Sequence, residues 1–442
     1  MRLRPVEFEA DPDEPFRNDT LNRRGHVEAF CSVLTAIEGP AVVLLNGSWG
    51  SGKTAFARMS AALLRARGVQ VAEFNAWQQQ HTRQPLVDLV SAISEEITNP
   101  QTQQMKKLAV ALTWQLAKTA TQGLIDRDAL VGHDIPASGV WADTRDLIDS
   151  FTEQIEKAAA PEGSALVVFI DELDRCRPTY ALELLEIVRH LFSVGSITVV
   201  VGINRDALCQ AVGSLYGDHF DTDRYLRRFT DLRVDLPTPT PPNLQTFFNA
   251  LLYTTGLADR LATPGWSGPM LQLIARLPDC SLRDVEQATH LALVTLTSLE
   301  ANISEFLEQA AIALIVLRTA NHVVYQRLTQ GEAAGFEAVK ALKDALASAP
   351  RSERDDPSDI THPLGHIRSR VDALLLVMTE YPLWYPRPPE KEQFINLYQQ
   401  WTNSQTRADL VYKHMEQIGT NRLLRLDIKQ IAAAIDLIPN AP

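Results

Sequence analysis

Short, almost uninterrupted apolar runs punctuate the first half of the chain: Ala41–Leu45 (AVVLL), Leu166–Ile170 (LVVFI) and Ile197–Ile203 (ITVVVGI), with the more mixed Val69–Trp77 (VQVAEFNAW). Runs of this length, apolar on both alternating faces and bounded by turn residues, predict strands buried on both sides. Between them the apolar spacing turns helical, over His26–Ile37, Thr54–Arg67, Pro85–Ile97, Asp143–Ala160 and Tyr180–Phe192, with Gly68 as a natural helix stop. Leu232–Leu236 predicts a last strand before the proline-rich Pro237–Pro242, the strongest boundary signal in the chain. Strands alternating with helices predict an α/β fold, a parallel sheet covered by helices on both faces. Beyond Asn243 the pattern is helical only, broken at Pro264, at Pro278 and by the polar stretch 348–363. The expected organisation is an N-terminal segment and helix (1–38), an α/β core (39–236) with a helical insertion (99–142), a helical region (243–347) and C-terminal helices (364–442).

With 442 residues, 45% of them apolar and 22% charged, the chain has the length and composition of a multidomain globular protein. A net charge of −12 argues against a protein that coats nucleic acid nonspecifically. No aromatic-interleaved basic cluster suits base stacking, so a nucleic-acid contact is left open. Cys31, Cys176, Cys209 and Cys280 are widely spaced and predict neither a disulfide framework nor a zinc ribbon. The first thirteen residues carry early acids and no apolar core, so no secretory leader is expected. The apolar run 108–117 lies between Lys107 and Lys118 and is well short of the roughly 20 residues that span a bilayer. A cytoplasmic protein without integral membrane association is the expectation.

Chemistry concentrates at two strand ends. Gly47-Ser48-Trp49-Gly50-Ser51-Gly52-Lys53-Thr54 satisfies G-x-x-x-x-G-K-[ST] between a predicted strand and a predicted helix. Glycines let successive N–H groups turn inward around phosphate oxygens, and the helix N-terminus adds a positive end. Lys53 is then placed for the β and γ phosphates of ATP, and the Thr54 hydroxyl for Mg²⁺. The Leu166–Ile170 strand ends in Asp171 and Glu172. Asp171 is placed to hold Mg²⁺ through water, and Glu172 to orient and deprotonate the attacking water. If the Ile197–Ile203 strand lies between those two, Asn204 at its end points at the γ-phosphate; an asparagine in a plain turn is the alternative.

The blocks LNGSWGSGKT (45–54), FNAW (74–77), FIDELDRC (169–176) and VVGINRDAL (200–208) together resemble the KAP family of P-loop NTPases, relatives of the AAA+ and STAND ATPases. The tryptophan inside the loop and the D-E-L-D-R-C block are the most specific features. The resemblance covers about residues 16–236, and the helical region after it, more loosely, as a lid. It implies a hydrolytic core with an added strand between the phosphate-loop and Mg²⁺ strands, and a role in signalling or anti-phage defence assemblies with protein partners. Many family members carry transmembrane helices between the loop and the acidic strand, where this chain has only the 99–142 insertion. Asp174 and Arg175 read as supports of the acids or interface residues, or as a surface loop. Arg227 and Arg228 stand where AAA+ relatives place an arginine finger for a neighbour's nucleotide, which would imply a homo-oligomer; a solvated basic turn is the alternative. Ser281 and Asp284 predict a capped helix start, on which Arg283 looks like a lid arginine for the γ-phosphate. Trp77 is expected to pack in the core.

Three functions compete on this reading. The first is a switch or motor ATPase; the second, a scaffold that holds ATP without turnover. The third is a small-molecule kinase, against which Glu172 argues, since a water-activating acid would waste ATP. The lack of an L-S-G-G-Q signature argues against a transporter ATPase.

Overall fold

The computed structural model describes residues 10–96, 103–113, 137–159, 165–192, 194–217, 220–261, 266–278, 280–299, 305–347, 363–384, 390–402, 405–419 and 428–436. Two compact units divide the chain, one ending at Thr238 and the other beginning at Pro239.

The first unit is built on five parallel strands: β1 (Ala41–Asn46), β2 (Gln70–Asn75), β3 (Leu166–Asp171), β4 (Ile197–Ile203) and β5 (Leu232–Asp235). Their order is β2-β3-β4-β1-β5. The added strand, β4, therefore does lie between β1 and β3, as the resemblance implies. Alternation along each strand feeds two cores. Val43, Leu45, Val71, Val167, Phe169 and Val200 face α1 (Arg24–Ala36) and α2 (Lys53–Ala66), where Phe30, Phe56 and Leu64 are buried. Val42, Leu44, Ala72, Phe74, Val168, Ile170, Val199 and Val201 face the opposite layer. That layer includes the helices Pro85–Glu96, Ala137–Ala159, Pro178–Leu191 and Arg205–Tyr216, and Met105, Ala109 and Leu112 of the helical residues 103–113. Each such Val, Leu, Ile or Phe side chain contributes about 1.5–3 kcal/mol on burial, which is why a run apolar at every position becomes a central strand.

Of the expected insertion, residues 99–102 and 114–136 lie outside the described residues, and its described parts are helical. One expectation is corrected. The second strand stops at Asn75, not Trp77, because the Asn75 side chain accepts from the Gln78 N–H and caps the short helix Ala76–Gln79. The turn carries Trp77 off the sheet, leaving it 48% exposed instead of in the core.

Every described element of the second unit is a helix, and the unit has its own core, in which the central helix Glu305–Ala320 is almost wholly buried. The helix Leu282–Ser298 opens on the predicted reciprocal cap: Asp284 N–H donates to Ser281 Oγ (3.3 Å), and Ser281 N–H donates to Asp284 Oδ2 (2.8 Å). The four cysteines are free thiols. No helix among the described residues is long and apolar enough to cross a membrane.

Candidate nucleotide site

The loop between β1 and α2 turns on left-handed glycines, Gly50 (φ 70°) and Gly52 (φ 85°), a conformation L side chains rarely adopt. Gly47 is required for space. A Cβ there would lie 2.7 Å from Ser51 Oγ, and Ser51 is itself buried. Gly47→Ala is accordingly expected to leave the fold intact, as judged by circular dichroism, while disordering the loop at a cost of about 1–3 kcal/mol. Titration with nucleotide should show a matching loss of affinity.

Lys53, the first residue of α2, donates to Gly47 O (2.7 Å) and Ser48 O (3.1 Å), so the ammonium curls over its own loop. Burial pulls it below the usual lysine range, and the carboxylates of Asp174 and Asp171 oppose that pull. The next residue, Thr54, donates its hydroxyl to Asp171 Oδ2 at 2.6 Å, bringing together two residues 117 positions apart. Burial pushes the Asp171 carboxyl up, against the Thr54 hydrogen bond. Gly202 on the neighbouring strand leaves room for it: a Cβ there would lie 3.0 Å from Asp171 Oδ1. A hydroxyl and a carboxylate converging beside a lysine fit a hard divalent cation on the phosphates, since both offer oxygen.

Glu172 sits in the left-handed region (φ 61°), and its carboxylate meets Asn75 Nδ2 (3.0 Å) and Arg175 Nη1 (2.6 Å). Asn204 lies at the end of β4, its side-chain oxygen accepting from Ala207 N–H at 3.3 Å to cap the following helix. Trp49, 51% exposed, donates its indole N–H to the buried Asp174 (2.5 Å). Arg227 and Arg228 lie in the turn before β5, both exposed, with Arg227 paired to Asp223 at 2.6 Å. β5 runs parallel to β1 with Leu232 opposite Val43 and Asp235 opposite Asn46, so these arginines precede the strand end that carries the loop by about 10 Å of strand or more. Arg283 belongs to the second unit, in the first turn of Leu282–Ser298.

Three contributors, Asn75, Asn46 and Arg23, escape the sequence reading, and Asp174 is read there only as a support of the acids, an interface residue or part of a surface loop. Asn75 reaches Glu172. Asn46 Nδ2 donates to Asp235 (2.7 Å), and its oxygen accepts from Arg205 N–H (3.0 Å), tying β1 to its flanks. Asp174 anchors the loop tryptophan. Arg23, buried and lowered by that burial to about 10, donates to Gly52 O (3.3 Å) and Pro237 O (3.0 Å). The blocks LNGSWGSGKT and FNAW each contain the available signal, an asparagine at a strand end.

The model of the KAP family P-loop domain matches residues 24–263, more than half of the chain. The chain belongs to the KAP family of P-loop NTPases. No curated protein matches it. Among solved structures it is similar to the Aeropyrum pernix ORC2 protein in ADPNP–ADP complexes, at 15% identity over 94% of this chain and 95% of that one, with a TM-score of 0.36. It is also similar to Aeropyrum pernix ORC1 in complex with DNA, at 15% identity over 95% and 84% (TM-score 0.34). For Drosophila ORC bound to GC-rich DNA and Cdc6 the identity is 11% over 100% and 81% (TM-score 0.33). Likenesses this weak carry no argument about ligands or partners.

Proposed function

We propose that the chain binds and hydrolyses ATP and that its nucleotide state serves as a switch or motor in a multi-protein assembly. What supports this most directly is the convergence of Lys53, Thr54 and Asp171 at the mouth of a glycine loop. Lys53 and the N–H groups of Ser48, Trp49, Gly50 and Gly52 cradle the phosphates, while Gly47 N–H donates to Ile203 O (3.1 Å) and Ser51 N–H to Ser48 O (3.2 Å), fixing the loop's shape. Thr54 and Asp171 hold Mg²⁺, which when bound neutralises charge on the phosphate oxygens. Glu172 accepts a proton from water as the water oxygen attacks the γ-phosphorus and the bond to the β–γ bridging oxygen breaks, giving ADP and phosphate. Asn204 reports the γ-phosphate, and a γ-phosphate contact for Arg283 rests on the family resemblance alone. That the assembly serves signalling or anti-phage defence rests on the family resemblance alone.

Arg227 and Arg228 act in this reading on a neighbour's nucleotide, since they precede β5 on the side away from their own loop. Arginine fingers supply factors of about 10³–10⁵ in related enzymes. The ATPase rate per subunit is therefore expected to rise with protein concentration. Arg227→Ala with Arg228→Ala should lower it while sparing ATP affinity. Phosphate release that is flat over a roughly hundredfold dilution, with the double variant fully active, would remove both the finger and the oligomer.

One observation favours a second reading, a scaffold that holds ATP without turnover: both oxygens of Glu172 already have partners. Zero phosphate release with ATP bound would select it.

A further inference from the structure

The Glu172 carboxylate is gripped from two sides. Oε2 accepts from Asn75 Nδ2 at 3.0 Å, and Oε1 lies 2.6 Å from Arg175 Nη1. The left-handed backbone at Glu172 aims the side chain as well, so little freedom is left in it. A carboxylate pulls a proton from water through an open oxygen, and a guanidinium nitrogen ion-paired 2.6 Å from Oε1 takes up the space from which water would approach that oxygen. Arg175 is itself held. Its guanidinium lies 5.6 Å from the centre of the Trp77 ring, within cation–π reach. Trp77 rides on the short helix Ala76–Gln79, whose start is capped by the same Asn75 that holds Glu172. The half-exposed indole thereby keeps an arginine on an acid.

We propose that Arg175 is a positioning residue that restrains Glu172, and that Trp77 sets the strength of the restraint, so the isolated chain turns ATP over more slowly than its acid allows. This rests on the reading of Glu172 as the base. Anything that drew the exposed Trp77 away from Arg175 would speed hydrolysis without touching the phosphate loop.

Steady-state turnover and equilibrium nucleotide affinity of the full chain test it. Breaking a charge-assisted contact of this kind should raise kcat of Arg175→Ala about three- to tenfold, with KM and affinity within about twofold of the unaltered chain. Retained affinity also certifies the fold. Arg175→Lys keeps a cation beside Glu172 and should restore most of the restraint. Trp77→Ala, an exposed position, should give a smaller gain in kcat, and Trp77→Phe, which keeps a ring face, almost none. Adding Glu172→Gln to Arg175→Ala should abolish the gain. An unchanged or lower kcat for Arg175→Ala, or a gain that survives Glu172→Gln, overturns the restraint while leaving the nucleotide site standing. Failure of the unaltered chain to bind nucleotide overturns the site itself, and the restraint with it.

Discussion

Lys53→Ala is expected to abolish tight nucleotide binding. Lys53 is the one cation within the loop 47–54, and its ammonium already lies within 3.1 Å of two loop carbonyls, poised where phosphate oxygens would enter. Burial alone works to discharge it, but Asp174 and Asp171 work the other way, so the site is built to keep a charge there. Charge-assisted hydrogen bonds are worth about 1.5–3 kcal/mol each. Losing two of them corresponds to a fall in affinity of about a hundredfold or more. Titration with a fluorescent ATP analogue measures it, and an unchanged affinity would end the assignment of the loop.

Glu172→Gln should separate binding from chemistry. The amide has the shape of the acid and keeps an oxygen for Asn75, so bound nucleotide is retained. With the proton acceptor gone, phosphate release should slow by about 10²–10⁴. Measured on one sample, bound nucleotide and released phosphate should move apart. Turnover within a factor of a few of the original would assign the base to another residue.

The sheet and the phosphate loop are legible in the sequence because their signals are local. Continuous apolar runs mark strands buried on both faces, and one glycine-lysine motif specifies both a turn and its chemistry. What escapes is non-local. Nothing in the spacing of Trp49 and Asp174, or of Asn75 and Glu172, says that they meet; β2 and β3 must first pair in register, Asn75 opposite Asp171. Trp77 misleads because an apolar run continues through it, whereas one asparagine cap redirects the chain. Asn204 reads as a residue aimed at phosphate or as a plain turn former, and its oxygen caps a helix, a geometry compatible with either. Arg23 gives no signal, since an arginine before a helix reads as solvated until the backbone oxygens it serves are in place.

Arg23 has a practical consequence for anyone who would excise the nucleotide-binding part. The matched region begins at residue 24, one position beyond it. A fragment cut there would keep every strand yet leave Gly52 O and Pro237 O without the guanidinium that bridges them. Its other end, at 263, would carry the helix Pro241–Thr254 away from its packing partners in Leu282–Ser298, baring Leu244 and Phe248. Such a piece would be sticky at one terminus and slack at the phosphate loop. A serviceable excision would begin upstream of Asp19, which accepts from the Arg23 backbone N–H at 2.6 Å, and stop at Thr238.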